Sequence, residues 1–544
     1  MPPPKDHPLN WSTFGVLLLI ALSLASFYRL RDLGLRPMHT DEAILGVKFL
    51  DFWRTGVFVY DPTDYHGPFL HYLTRAFAWV ARWSTPSAVT EARLRAVVAV
   101  CGLALVLGTV FLTDALGRLA TVLAMLMVAV SPMMVFYSRY FIMEVPFVLL
   151  LAVFMTSCWR FSQNRSRVWL LLAGISLGCL HATKETFVIN MAAMLCGWIV
   201  ARVFTEGFVK RSSGLRLSMG RNRSGVEHPT LWIAVTGVLV SVILFSGFFH
   251  HWRDVLNSVT TYASYVKRSG GGGGHAKPWH YYLHLIFRSK TEDGRVWTEA
   301  LIGGLAVPGI LCAFFGSYRK DPHRQAFLVF LSVYTLAALT AYSILPYKTP
   351  WTILSVQWAL TLLAGVGAQW LFAVFRERST RTVLILGMGA GLWHLCSQTM
   401  AALHEPMAAR HHINQANLNV PYAYSHTSTN ALKLVSRLRE LAAFTPEEFS
   451  AQVIGIDSGW PLPWYLRDLK NVGYQQKVPE ALSAPVILVD TALMPPVQAK
   501  LGGKAENYVS DSFDLRPGVR VALLVEKGLW DRFLAARSSQ PKKP

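Results

Sequence analysis

Charge is scarce in this sequence. Only 15% of its 544 residues are Asp, Glu, Lys or Arg, where a soluble domain carries about a quarter. Cysteine is scarce too. The six are Cys101, Cys158, Cys179, Cys196, Cys312 and Cys396; each lies in an apolar stretch, and no CxxC pair occurs. This argues against a disulfide framework or a cysteine-built zinc centre. Acidic residues are the rarer sign, 32 against 52 Lys and Arg, for a net charge of +20. A nucleic-acid partner would require those cations to cluster on one face. They stand instead between apolar segments, so no nucleic-acid partner is expected and a lipid bilayer is.

Apolar residues make up 52% of the chain, and mean hydropathy is +0.33. Long apolar runs recur from residue 11 to about 403, several of them near the roughly 20 residues that span a hydrocarbon core. The expected fold class is therefore a mainly α, polytopic membrane protein with about eleven spans: 11–30, 93–113, 119–136, 145–160, 168–182, 187–205, 230–250, 299–316, 325–345, 351–375 and 382–403. No clean A-x-A site follows the first run, which therefore reads as a retained anchor.

The basic residues supply the orientation. With a cytoplasmic N-terminus, four short inside connections hold Arg160, Arg165 and Arg167; Lys210, Arg211, Arg216, Arg221 and Arg223; Arg319, Lys320 and Arg324; and Arg376, Arg378 and Arg381. The short outside connections hold one cation each: Arg139, Lys184 and Lys348. That asymmetry is the positive-inside rule. It predicts a protein of the inner (cytoplasmic) membrane with its N-terminus inside. Two long loops, 31–92 and 251–298, then lie outside. The second carries Gly270 to Gly274, read as a spacer or a hinge.

The last 140 or so residues differ in character. Helical periodicity runs from Ala431 to Ala443, and strand-like runs follow at 453–457, 485–490 and 519–525. Alternation of this kind predicts a small α/β domain. The expected division is a transmembrane domain over 1–403 and an extracytoplasmic α/β domain over 404–544.

The lone outer cations each stand in polar or aromatic company: Tyr137-Ser138-Arg139-Tyr140 with Glu144, Thr183-Lys184-Glu185, and Tyr347-Lys348-Thr349-Pro350-Trp351. Ionisable groups at a membrane are costly and tend to be functional, although each also suits an interfacial anchor. Asp41-Glu42 opens an amphipathic stretch soon after the first span, where acidic residues also suit a helix start. Glycosyl transfer from a lipid phosphate needs a carboxylate to take the acceptor proton and a cation where the leaving phosphate gathers charge. The candidate catalytic residues are thus Asp41, Glu42 and Glu144. The candidate substrate contacts are Arg139, Lys184, Glu185, Tyr65, His66, Trp279, Tyr347 and Lys348. Asp41 and Glu144, with His39 and His66, are also possible ligands for a divalent metal, though no fixed ligand spacing such as HExxH supports one.

The order of these features resembles the glycosyltransferases of the GT-C fold, in the branch of protein O-mannosyltransferases and aminoarabinose transferases. There an acidic pair opens the first outer loop, as Asp41-Glu42 does here. A second acid begins the fourth span after a Ser-Arg pattern, as Glu144 does after Ser138-Arg139, and a lysine ends the fifth, as Lys184 does. Glu144 stands where many of those enzymes have Asp. The resemblance implies Asp41 as acceptor-side base and Lys184 as donor-phosphate contact. A closer resemblance covers almost the full chain: His39-Thr40-Asp41-Glu42-Ala43, Tyr65-His66-Gly67-Pro68, Thr183-Lys184-Glu185-Thr186, Pro278-Trp279 with Tyr281-Tyr282, Tyr347-Lys348-Thr349-Pro350-Trp351, Pro421-Tyr422 with Tyr424-Ser425-His426-Thr427, and Trp460 to Arg467. These are similar to prokaryotic flippase-activity-associated proteins related to dolichyl-phosphate-mannose protein mannosyltransferases.

The function so implied is transfer of a sugar, with inversion, from a polyprenyl-phosphate donor to a protein, lipid or glycan acceptor on the outer face. A flippase or transporter of lipid-linked sugars would place ionisable residues near the bilayer midplane, within inverted repeats. A non-catalytic component of a glycan-assembly complex would rely on its exported domain for binding.

Overall fold

The computed structural model describes residues 9–63, 66–212, 227–270, 275–291, 294–316, 321–404, 420–455 and 459–538. The chain divides into two compact units. The first comprises Met1–Leu33, Phe52–His404 and Val420–Tyr422; the second comprises Gly34–Asp51, Glu405–Asn419 and Ala423–Pro544. A piece of the first long loop, including Asp41, thus groups with the C-terminal residues.

Each of the eleven expected spans is helical. Among the described residues, seven helices are long and apolar enough to cross a membrane: Trp11–Leu30, Glu91–Leu116, Glu144–Asn164, Phe187–Glu206, Pro322–Ile344, Pro350–Val374 and Arg378–His404. Arg118–Val130 and Pro132–Ser138 make an eighth if taken as one span, bent by 59°. The remaining places hold shorter apolar helices, Arg167–His181, Pro229–Phe245 and Ala300–Phe315. At 1.5 Å per residue these are about 22–26 Å long, less than the ~30 Å hydrocarbon core.

The bend has a local cause. Pro132 has no amide to continue a helix, and it disfavours helical geometry at Ser131. A new helix therefore begins with proline in its first position, and the Ser131 hydroxyl accepts from the Met134 amide at 3.3 Å.

Between spans in lipid, close approach matters more than apolarity. Ala300–Phe315 and Leu354–Val374 pack through Gly309 and Gly367. A Cβ on Gly309 would overlap the Leu363 carbonyl, and one on Gly367 the Leu305 carbonyl.

The loop stretches are more ordered than the sequence pattern alone implies. The first long loop holds the helices Thr40–Thr55, which Asp41-Glu42 opens, and Phe69–Val80. The 251–298 connection holds the helices Trp252–Ser269 and Tyr281–Phe287 and a two-stranded antiparallel ladder, Ser289–Lys290 with Val296–Trp297. Gly271 to Gly274, the body of the run read as a spacer or a hinge, lie outside the described residues.

The second unit contains a five-stranded sheet. In spatial order its strands are Val472–Gln475, Ala451–Ile454, Val486–Asp490, Val519–Glu526 and Tyr508–Arg516. The first three are parallel and the last two antiparallel to their neighbours. Ile454, Ile487, Val489, Val497, Leu501, Ala522 and Leu524 form a core on one face. The helix Thr429–Phe444 matches the expected periodicity. The strands Val472–Gln475 and Tyr508–Arg516 had no sequence signal: both lie at edges and alternate polar with apolar only weakly.

Candidate active site

In the first unit, Glu144 is the opening residue of its helix, where a carboxylate meets the positive end of the helix dipole. Lys184 stands in the turn between Arg167–His181 and Phe187–Ser212. The two form an ion pair with side chains only 7% and 9% exposed. Among the described residues the Lys184 ammonium makes no other hydrogen bond, so two of its three N–H donors remain. The pair lines a small pocket together with Thr186, Tyr342, Trp351 and Ser355.

Glu185 faces another way. His66 Nδ1 donates to its carboxylate at 2.6 Å, and the Tyr265 hydroxyl lies 3.1 Å from the same nitrogen. Burial alone would raise the Glu185 carboxyl. The charge and hydrogen bond of His66, a backbone amide and Lys184 together hold it below its ordinary value. Gly67 is required by close approach: a Cβ there would overlap the Ala182 carbonyl, which also accepts from the Phe69 amide at 3.0 Å. The 66–69 segment is thus clamped to the turn that carries Lys184. Tyr65 lies outside the described residues.

The other expected contacts have partners of their own. The Arg139 guanidinium donates to the carbonyls of Tyr28 at 3.0 Å, Asp32 at 3.2 Å, and Arg31, at the end of the first span. Lys348 is 1% exposed, and its ammonium donates to the Lys277 carbonyl at 3.1 Å and to that of Leu345. Burial lowers it from the ordinary lysine value. Tyr347 forms a backbone bridge with Ala276, its ring 4.5 Å from that of His275. Trp279 is exposed beside His280.

In the second unit, the acidic pair divides. Glu42 is fully buried and accepts from the His39 amide at 2.9 Å, while His39 Nδ1 accepts from the Asp41 amide at 3.1 Å. This is a reciprocal helix cap with histidine in the usual Ser or Thr place. His39 Nε2 then donates to the Tyr424 carbonyl at 2.9 Å. The Asp41 carboxylate is 34% exposed. Burial first, and then the charge of Asp41, raise the Tyr424 hydroxyl from its ordinary value. The segment is pinned by further bonds: the Met38 amide to the Tyr465 hydroxyl (2.8 Å), the Thr427 hydroxyl to the Met38 carbonyl (2.6 Å), and Arg516 to the Thr40 hydroxyl (2.7 Å). Three sequence motifs, around residues 39, 424 and 465, therefore form one cluster.

Among the described residues, no three His, Cys, Asp or Glu side chains gather as a metal ion would require, and Glu144 is engaged by Lys184.

The profile of the dolichyl-phosphate-mannose-protein mannosyltransferase family matches residues 73–250, about a third of the chain. No curated protein matches the sequence. Among solved structures, ArnT from Cupriavidus metallidurans bound to undecaprenyl phosphate is similar at a TM-score of 0.59 and 16% identity, covering 96% of this chain and 99% of that one. The Archaeoglobus fulgidus oligosaccharyltransferase tethered to an acceptor peptide is similar at a TM-score of 0.54 and 12% identity, covering 93% and 74%. The chain has the GT-C fold. It is an integral membrane protein.

On this GT-C frame, sequence reasoning passed over Glu299. Its buried carboxylate accepts from the Ser131 hydroxyl at 2.6 Å, the Met133 amide at 2.8 Å and Gln357 at 2.6 Å. It thus caps the outgoing half of the bent helix. The available signal was an acid at the edge of an apolar run. Tyr265 and Arg516 carried no comparable signal, because their partners are distant in sequence.

Proposed function

We propose that this protein is a membrane glycosyltransferase that moves a sugar from a polyprenyl-phosphate donor to an acceptor, with inversion at the anomeric carbon. The reading further takes the protein to reside in the inner membrane, with its N-terminus inside and its acceptor on the outer face. Lys184 carries the proposal. It is a buried ammonium held by Glu144, with two hydrogen-bond donors remaining, beside a small pocket, on a GT-C fold.

In this reading the acceptor oxygen attacks the anomeric carbon as the bond to the phosphate oxygen breaks. The departing polyprenyl phosphate keeps the electron pair, and Asp41 takes the acceptor proton. Lys184 meets the growing phosphate charge. A cation about 4 Å away contributes roughly 4 kcal/mol at an effective dielectric near 20. A carboxylate is a weak base, which suffices when the transition state resembles an oxocarbenium ion. Glu144 positions Lys184, and no step is routed through a metal. ArnT's binding of undecaprenyl phosphate supports a lipid-phosphate donor.

The test is turnover by the purified protein with a panel of defined polyprenyl-phosphate sugars, followed by release of polyprenyl phosphate. One donor is expected to be consumed by wild type and not by a folded Lys184→Met or Asp41→Asn variant. Undiminished consumption by both variants would overturn the assignment.

A further inference from the structure

A second feature of the first unit lies outside this chemistry. Between the end of one amphipathic helix and the start of a span, two tryptophans and two arginines stack in a ladder. The Arg75 guanidinium lies 4.5 Å from the Trp53 ring centre. Trp53 and Trp83 are parallel within 6°, their centroids 6.4 Å apart. Arg93 lies 5.8 Å from the Trp83 ring.

The ladder sits at a defined level. Arg93 is in the first turn of Glu91–Gly108, so it marks one end of a span. Arg75 is on Phe69–Val80, and one turn later the same helix presents Trp79 and Val80, 81% and 73% exposed. Arg82 follows, also exposed, in the left-handed conformation with φ 53°. Trp with Arg at a span's end is the composition of a bilayer interface.

Among the described residues Arg75, Arg82 and Arg93 form no ion pair; Arg93 donates one N–H to the Ala88 carbonyl at 2.5 Å. A guanidinium whose face rests on an indole still has in-plane N–H donors at its edge. That fork matches phosphate oxygens in a bidentate way. Trp79 and Val80 beside it match acyl chain.

We infer that Arg75 and Arg93, at the two ends of the Trp53–Trp83 stack, and Arg82, next to Trp83 in sequence, bind the phosphate headgroups of anionic phospholipids of the surrounding bilayer. This is an annular lipid site, independent of the donor site.

The experiment is native mass spectrometry of the full-length protein from detergent, titrated with phosphatidylglycerol or phosphatidylcholine. Wild type is expected to prefer phosphatidylglycerol, and Arg75→Gln/Arg93→Gln to lose about 30-fold in affinity for it, since two interfacial cations are removed. Arg75→Lys should fall between, because it keeps charge but not the fork. Should the double variant misfold, each single variant, checked by thermal unfolding, carries the same comparison. Equal retention of phosphatidylglycerol by wild type and folded variants would overturn the inference. So would complete displacement by equimolar polyprenyl phosphate, which would mark the site as the donor's.

Discussion

Lys184 and Glu144, forty residues apart in sequence, form a buried ion pair. Removing one partner of such a pair leaves an uncompensated charge, which costs about 3–5 kcal/mol. Glu144→Leu should therefore lower the unfolding temperature sharply. Glu144→Leu/Lys184→Met should recover most of that loss, since an apolar pair of similar volume is often as stable as the ions it replaces. Transfer should remain absent in both. Thermal unfolding and turnover, measured on the same preparations, separate the two roles.

The carboxylates of Asp41 and Glu42 should behave differently. Glu42 caps its own helix, so Glu42→Gln should preserve most of the stability and activity, because an amide oxygen can still accept from the His39 amide. Glu42→Ala should cost about 1 kcal/mol, the usual worth of a lost cap. Asp41→Asn should leave stability nearly unchanged and reduce turnover by about 10²–10⁴-fold, the range for a lost general base. Equal losses of turnover in Asp41→Asn and Glu42→Gln would contradict this division of labour.

Glu185 predicts an acid sensitivity. Its carboxyl is held below the ordinary value in the folded protein, so its pairing with His66 stabilises the fold above the ordinary carboxylate range. That contribution is lost as pH falls through the lowered folded value. The stability gap between wild type and Glu185→Gln should be widest near neutrality and close below about pH 4. Unfolding temperatures across a pH series measure it.

Gly67 predicts a steric effect. An alanine there would overlap the Ala182 backbone and push the His66 segment off the turn carrying Lys184. Such overpacking typically costs about 1–3 kcal/mol. Gly67→Ala should lower both stability and transfer, whereas Gly56→Ala, whose Cβ meets nothing within 4 Å, should lower only stability through its φ of 75°. Parallel assays of the two variants check this.

Much of the fold was legible because a bilayer forces it. Backbone groups in hydrocarbon must be satisfied within the protein, by a helix or a closed barrel, and apolar runs as long as 351–375 match a spanning helix rather than a barrel strand; they are helical. Buried central strands were legible for a related reason: Val486–Asp490 and Val519–Glu526 read as continuous apolar runs. The edge strands at 472–475 and 508–516 did not, since an edge needs no such run.

Sequence alone determined which segments are apolar and which ionisable residues interrupt them, because the burial of apolar surface depends on composition and period. It thereby singled out Asp41, Glu144 and Lys184. Only the tertiary structure decided which groups each charge meets. Arg139 and Lys348 looked as promising as Lys184, yet they hold backbone carbonyls. Glu42 looked equivalent to Asp41, yet it is buried in a cap. The reason is that hydrogen bonds and ion pairs act over a few ångströms. Which groups come that close depends on residues tens or hundreds of positions away, as Lys184 with Glu144 and His39 with Tyr424 show.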